Sequence, residues 1–261
     1  MKKPAFQTSL LAFALTAAVA APVAAELDQT TAAALDAAIA SDQRSDADKA
    51  RDRNRRPKQT LEFFGFDDNQ KVVEMFPGGG GWYTKILAPV LADKGELIVV
   101  GGIGKAYGFG ADLARVGELD GKDKIKMVDI SADLTVAPSR NLDVKPTSFD
   151  ARNADLVLTF RNLHNFTPEG RMELYKASYK ALKKGGKFGA IDHTQRHMMP
   201  DNDETGRRLD PVLVIQEAQA AGFTFVGYSP LHYRPDDELR YEVGRKTVTG
   251  NTDRWTLVFE K

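Results

Sequence analysis

The chain has 261 residues with 36 Lys+Arg against 36 Asp+Glu, so no global charge favours nucleic acid or an anionic membrane surface. It holds no cysteine, which excludes disulfides, thiolate metal sites and a lipoprotein anchor. Stability must come from a core alone, and the length is enough for one sizeable α/β domain.

The first residues have the three parts of a secretory signal peptide: Lys2 and Lys3, an apolar stretch from Leu10 to Ala20, then Val23-Ala24-Ala25. The apolar stretch is short of the ~20 residues a spanning helix needs. The expectation is cleavage after Ala25, a periplasmic or secreted chain and no stable membrane insertion. Residues 26–56 read as an N-terminal extension, alanine-rich and helical from Leu27 to Ile39, then polar and charged from Ser41 to Arg56. The main domain follows over residues 57–261. Pro57 at a first helical position, Leu61 and Phe64 on one face and Gly65 as cap predict a short helix there.

Strands and helices then alternate. Lys71 to Phe76 is a buried-strand candidate, and Trp82 to Leu91 puts Tyr83, Ile86, Leu87, Val90 and Leu91 on one helical face, with Pro89 expected to kink it. Gly95 to Val100 is a second strand, Ala111 to Leu119 a weak helix, Lys124 to Ile130 a third strand and Asp155 to Phe160 a fourth. Thr167 as N-cap, Pro168 in the first turn and a stripe of Met172, Tyr175, Tyr179 and Leu182 specify a helix stopped by Lys183-Lys184-Gly185. Lys187 to Asp192 is a fifth strand. Asp210-Pro211 opens a helix carrying Val214, Ala218 and Ala221, closed by Gly222 before the strand Phe223 to Tyr228. In the last strand, Arg254 to Lys261, Trp255, Leu257 and Phe259 alternate with Thr256 and Val258. This alternation predicts a doubly wound, mostly parallel sheet covered on both faces, with ligands bound outside the carboxyl ends of its strands.

The loop after the first strand reads Glu74-Met75-Phe76-Pro77-Gly78-Gly79-Gly80-Gly81-Trp82. A P-loop needs Lys-Ser or Lys-Thr after its last glycine, and Trp82 stands there. A dinucleotide fingerprint needs a third glycine where Tyr83 falls.

The loop instead resembles the first motif of class I S-adenosylmethionine-dependent methyltransferases, an acidic residue followed by alternate glycines, with Phe76 in place of the first glycine. Ala154 to Asn165, including Arg161-Asn162-Leu163-His164-Asn165, is similar to that family's fourth strand and following motif. Leu182-Lys183-Lys184-Gly185-Gly186 and Ala221-Gly222-Phe223 also match, so the resemblance runs from about Arg55 to the C-terminus, and the whole chain is similar to a group of secreted predicted methyltransferases. The resemblance implies a seven-stranded Rossmann-like sheet with an antiparallel last strand, and transfer of a methyl group from S-adenosylmethionine to a small molecule. It also implies a cofactor site of Glu74, Phe76, Pro77, Gly78, Gly79, Gly80, Asp129, Arg161 and Asn162. One departure stands out: Val99-Val100-Gly101-Gly102 carries no acid at the second strand's end, where the family holds the ribose. A non-catalytic small-ligand-binding protein on a degenerate methyltransferase fold is the alternative.

Of the four histidines, His164 and His193 fall just past the ends of the fourth and fifth strands, where both can face substrate and one can act as a base. With Asp192 they are also a candidate metal set; His193 and His197 are four apart, but a strand-to-loop position rather than a helix weakens that pair as a chelate, and no metal is expected. Arg51, Arg53, Arg55 and Arg56 read either as a clamp for a carboxylate or, with more weight, as a solvated face balanced by Asp48 and Asp52. Trp82, Tyr83 and Phe166 are candidate pocket walls.

Overall fold

The computed structural model describes residues 27–261 except 79, 110–112, 114, 115, 120 and 201. The segment expected to be a signal peptide, Gly79 and residues 111, 112, 114 and 115 of the helix expected over Ala111 to Leu119 lie outside the described residues. The strands are β1 (Lys71–Met75), β2 (Glu96–Gly101), β3 (Ile125–Asp129), the short pair β4 (Leu134–Val136) and β5 (Leu142–Val144), then β6 (Ala154–Phe160), β7 (Leu182–His193), β8 (Thr224–Tyr228) and β9 (Arg254–Glu260). Seven form one sheet in the order β3-β2-β1-β6-β7-β9-β8, while β4 and β5 pair antiparallel with each other. From β3 to β7 every neighbour is parallel, and β9 runs antiparallel to both β7 and β8.

The helices are α1 (Gln29–Ala40), α2 (Asp46–Lys49), α3 (Asp52–Arg55), α4 (Pro57–Phe64), α5 (Thr84–Leu91), α6 (Ile103–Ala106), α7 (Pro168–Ala181) and α8 (Pro211–Ala220). Their ends are set as the sequence predicts. Thr167 accepts from the Gly170 amide at 3.0 Å and Asp210 from the Val212 amide at 2.9 Å, each ahead of a proline, and Gly65 ends α4 with φ +73°. Strand pleating sorts the core onto two faces. Val72, Leu97, Val99, Leu156 and Leu158 pack with residues of α1, α4 and α5, whereas Val73, Met75, Ile98, Val100 and Val157 pack with residues of α7 and α8. Among the described residues no helix is long and apolar enough to cross a membrane.

Two expectations change. Leu182 does not extend the helix before Lys183-Lys184-Gly185: its backbone is extended (φ −72°, ψ 148°), and β7 runs through these residues after a register irregularity opposite Ala154 and Leu156. The charged run Ser41 to Arg56 keeps Arg51, Arg53 and Arg56 exposed, as a solvated face would, but buries Arg55. It folds into α2 and α3 around Arg44, which is 2% exposed and donates to the Ile39 carbonyl at 2.6 Å and to Asp52 at 2.9 Å. Asp48 pairs with Lys85 at 2.8 Å, so neither acid balances Arg51, Arg53, Arg55 or Arg56.

The chain leaves β1 to one side for β2 and β3, then returns to its other side with β6. That reversal opens a crevice between the carboxyl ends of β1 and β6.

Candidate functional site

Each of those two strands ends in a residue forced into the left-handed region. Phe76 has φ +55° and gives its amide to Val100 at 2.6 Å; Arg161 has φ +64° and gives its amide to Ile191 at 2.7 Å. Such a backbone costs a side chain about 1–2 kcal/mol, which explains why the resembled motif has glycine where Phe76 stands. Burial of Phe76 to 2% exposure, with its ring 5.2 Å from that of Phe166, offsets the strain. Phe166 is therefore core packing beneath the loop and not the pocket wall expected of it.

Gly78 (φ +67°) and Gly80 (φ +103°) have no heavy atom within 4 Å of where a side chain would begin. Close packing does not require these glycines; they turn the chain and leave its face open. Behind them Glu74, 1% exposed, accepts from the Thr84 hydroxyl at 2.7 Å. Burial pushes its carboxyl up to about 7, against the opposing pull of the Thr84 hydrogen bond and of Arg55. Across the crevice the Asn162 amide nitrogen donates to the carbonyls of Phe76 at 3.0 Å and Met75 at 3.3 Å, tying the end of β6 to the end of β1.

These residues enclose a cavity of about 430 Å³, within the range of small-molecule sites. Glu74, Phe76, Pro77 and Gly78 line it from the β1 side. Arg161, Asn162 and His164 line it from the β6 side, with His193 from the end of β7. Gly80 does not line it, and Gly79 lies outside the described residues. Asp129 is also absent from its walls; it pairs with Lys105 at 3.5 Å, accepts from the Ser131 amide at 2.8 Å and lies in register with Gly101. The cavity thus gathers the β1 and β6 parts of the expected cofactor set and leaves out its β3 member.

Further walls come from Arg51, Arg55, Trp82 and Tyr83, and from Arg207 and Val243. Arg55 is buried with its guanidinium 4.4 Å over the Trp82 ring, while Tyr83 stacks on Phe160 at 3.6 Å and 10°. Arg207 and Val243 sit in long connections with no periodic pattern, which is why sequence reasoning missed them.

The two site histidines differ. Asp192, with no exposed surface, accepts from His164 Nδ1 at 2.6 Å, from the His164 amide at 3.1 Å and from the His193 amide at 2.8 Å. A carboxylate on Nδ1 fixes the tautomer with the proton there, leaving Nε2 of His164 as the basic nitrogen. His193 Nδ1 shares a hydrogen with Thr252 Oγ1 at 2.9 Å. Burial, then the neighbouring His164 and Arg161, hold His193 well below its ordinary range, so it stays neutral. His232 is structural: Thr256 Oγ1 at 2.7 Å and the Arg55 carbonyl at 2.9 Å occupy its two nitrogens, and burial pushes it down to about 3. His197 is exposed on Asp210 at 2.7 Å.

His164, Asp192 and His193 do not converge as metal ligands. Among the described residues the acids that do converge are Asp28, Asp67 and Asp68, ahead of β1 at the opposite end of the sheet. There Asp28 caps α1 and Asp68 pairs with Lys94 at 2.9 Å.

No family model matches the sequence, and no curated protein matches it. Solved structures do match in shape. An S-adenosylmethionine-dependent methyltransferase from Aquifex aeolicus has a TM-score of 0.53 and 13% identity over 80% of this chain and 92% of its own. The cyclase SpnF has a TM-score of 0.51 and 16% identity over 80% of each chain. At such identities the likeness is one of fold: this chain has the Rossmann-like fold of class I methyltransferases, on which a cyclase also occurs.

Proposed function

We propose that this chain is an S-adenosylmethionine-dependent methyltransferase acting on a small molecule, exported after removal of residues 1–25. The observation that carries the reading is the open-faced turn whose Gly78 lines one cavity at the sheet's switch point together with Asn162 opposite and the buried acid Glu74 behind. This donor set fits the cofactor's methionine half: bare backbone for close approach and a carboxylate to answer a cationic centre.

When bound, S-adenosylmethionine supplies an electrophilic methyl group. The chain's own part is alignment of the acceptor and removal of its proton. With Nδ1 held by Asp192, His164 Nε2 takes the proton from a hydroxyl or amine acceptor, while neutral His193 contributes a hydrogen bond. Replacing His164 with Ala should lower turnover by about 10²–10⁴ and leave cofactor affinity unchanged.

A second reading, a non-catalytic binding protein, is favoured by one observation. The end of β2 carries no acid, and Asp129, in register with Gly101 on the neighbouring strand, is taken up by Lys105 and Ser131. Calorimetric titration of residues 26–261 with S-adenosylmethionine decides between them. Micromolar binding, about −8 kcal/mol, lost in a folded Gly78→Asp, Gly80→Asp double variant supports the cofactor site. Absence of binding by the folded wild type leaves the binding-protein reading. For export, a purified periplasmic protein beginning at residue 26 is expected, and an intact residue 1 in the cytoplasm refutes it.

A further inference from the structure

Beside the first cavity lies a second of about 400 Å³ that shares Arg51, Arg55, Arg161, His193 and Arg207 as a common wall and adds Arg254 and Thr252. The topology explains the gathering. The parallel strands end here, and β9, being antiparallel, begins here, so Arg254 pairs with His193 across the sheet. Arg55 and Arg254 are 6% and 7% exposed, and Arg161 is half-buried. Among the described residues none of these three, nor Arg51, forms an ion pair.

The nearby acids are committed elsewhere. Glu74 accepts from Thr84, Asp192 serves His164 and His193, and Asp253 accepts the Arg234 amide at 2.7 Å. Arg254 gives one terminal nitrogen to the Asn54 carbonyl at 2.7 Å, and its Nε is buried with no partner. Burial, then the charges of Arg161 and Arg51, push Arg55 down to about 8. A guanidinium keeps its proton under such stress. Asp192 acts on Arg161 and Asp253 on Arg254 across space, so the positive charge is only partly offset, and the excess calls for an anion, since a buried charge without an ion-pair partner is unfavourable.

We infer that the second cavity is an anion subsite in which Arg161 and Arg254, supported by Arg55 and Thr252, hold the carboxylate or phosphate of the small-molecule methyl acceptor. The planar forks of these side chains suit either group by two-pronged contacts. Such an acceptor would reach across the shared wall with its nucleophile toward His164. Calling the occupant the methyl acceptor rests on the methyltransferase reading; the anion subsite does not.

The test is calorimetric titration of residues 26–261 with inorganic phosphate and, separately, succinate, at constant ionic strength made up with sodium chloride, with and without saturating S-adenosylmethionine. One-to-one binding of phosphate or succinate is expected, retained with the cofactor present and weakened at least tenfold by Arg161→Met and by Arg254→Met. The stronger of the two probes tells phosphate from carboxylate. Arg161→Lys should lose most of the affinity although it keeps the charge. Should Arg254→Met fail to fold, Arg254→Lys replaces it and the half-buried Arg161 carries the test. Unchanged affinity in folded variants, or a response no larger than to matched chloride, overturns the inference. Displacement of the anion by S-adenosylmethionine also overturns it, by assigning the cluster to the cofactor's own carboxylate. Anion binding without any S-adenosylmethionine binding removes the methyltransferase reading and leaves the subsite standing.

Discussion

Two groups of buried arginines hold different parts of this molecule. Arg208 has no exposed side-chain surface and spends every nitrogen: Nε on the Tyr241 carbonyl at 2.8 Å, one terminal nitrogen on the Thr194 carbonyl at 3.0 Å and the other on Asp237 at 2.9 Å. Arg44, likewise buried, puts its terminal nitrogens on Asp52 and the Ile39 carbonyl, although its Nε has no partner. At the crevice Arg55, Arg161 and Arg254 are charged and largely withdrawn from water without an ion-paired carboxylate among the described residues. Burial alone therefore separates nothing, since both groups share it. The partner does: Arg208 and Arg44 close the fold on itself, and the crevice arginines leave charge for something that arrives.

The sharpest way to break that contrast is to unpair an arginine of the first group. Asp237→Ala should cost about 3–5 kcal/mol in denaturant unfolding, the penalty for stranding a buried partner charge. Asp237 also accepts the amides of Leu239 at 3.0 Å and Asp253 at 2.7 Å, so the connection from β8 to β9 should loosen with it. Arg161→Met, by relieving like charges, should leave stability unchanged or raised. Equal losses in both variants would mean that the crevice arginines are structural after all.

The fold was legible wherever the signal is local. Caps at Thr167 and Asp210, the apolar runs of β1, β2 and β6 and the alternation of β9 each need only neighbouring residues. The β4–β5 pair went unread because three-residue strands such as Leu134–Val136 carry too little pattern. Within the charged run Ser41 to Arg56 the burial of Arg44 and Arg55 went unread because composition reports solvation, and Arg44 finds Asp52 only once the chain is folded. The site divides in the same way. The glycine loop and Arg161 to His164 lie in two contiguous motifs and meet in the cavity, whereas Arg254, Arg207 and Val243 arrive through strand order and long connections.

Glu74 sharpens the contrast further, because it is a buried acid beside Arg55 that forms no ion pair with it among the described residues. Burial raises it from 4.5 to about 7. Its neutral form is thus favoured in the folded protein, and any stability tied to that form is full below 4.5 and lost as pH rises through 7. A cationic cofactor centre requires the ionised form, so affinity should run oppositely, falling up to about tenfold per pH unit below 7. Glu74→Gln should flatten both profiles. A calorimetric pH series in which wild type and variant run parallel would remove Glu74 from the site.

The smallest effect expected is on His232, which lies against the crevice arginines, accepting from the Thr256 hydroxyl and donating to the Arg55 carbonyl. Burial is the first cause of its depression to about 3, and the charge of Arg254 the second. The neutral ring contributes stability that is fully present above the unfolded value of 6.5 and is lost as pH falls from there toward 3. If Arg254 really stands without a counter-charge, Arg254→Met should move the His232 titration upward while leaving it below 6.5, a shift readable from the ring protons by NMR. The acid-side loss of stability should then end at a higher pH than in wild type. An unmoved His232 titration would mean that the charge of Arg254 is already neutralised in the free protein, and with it the reason to expect an anion there.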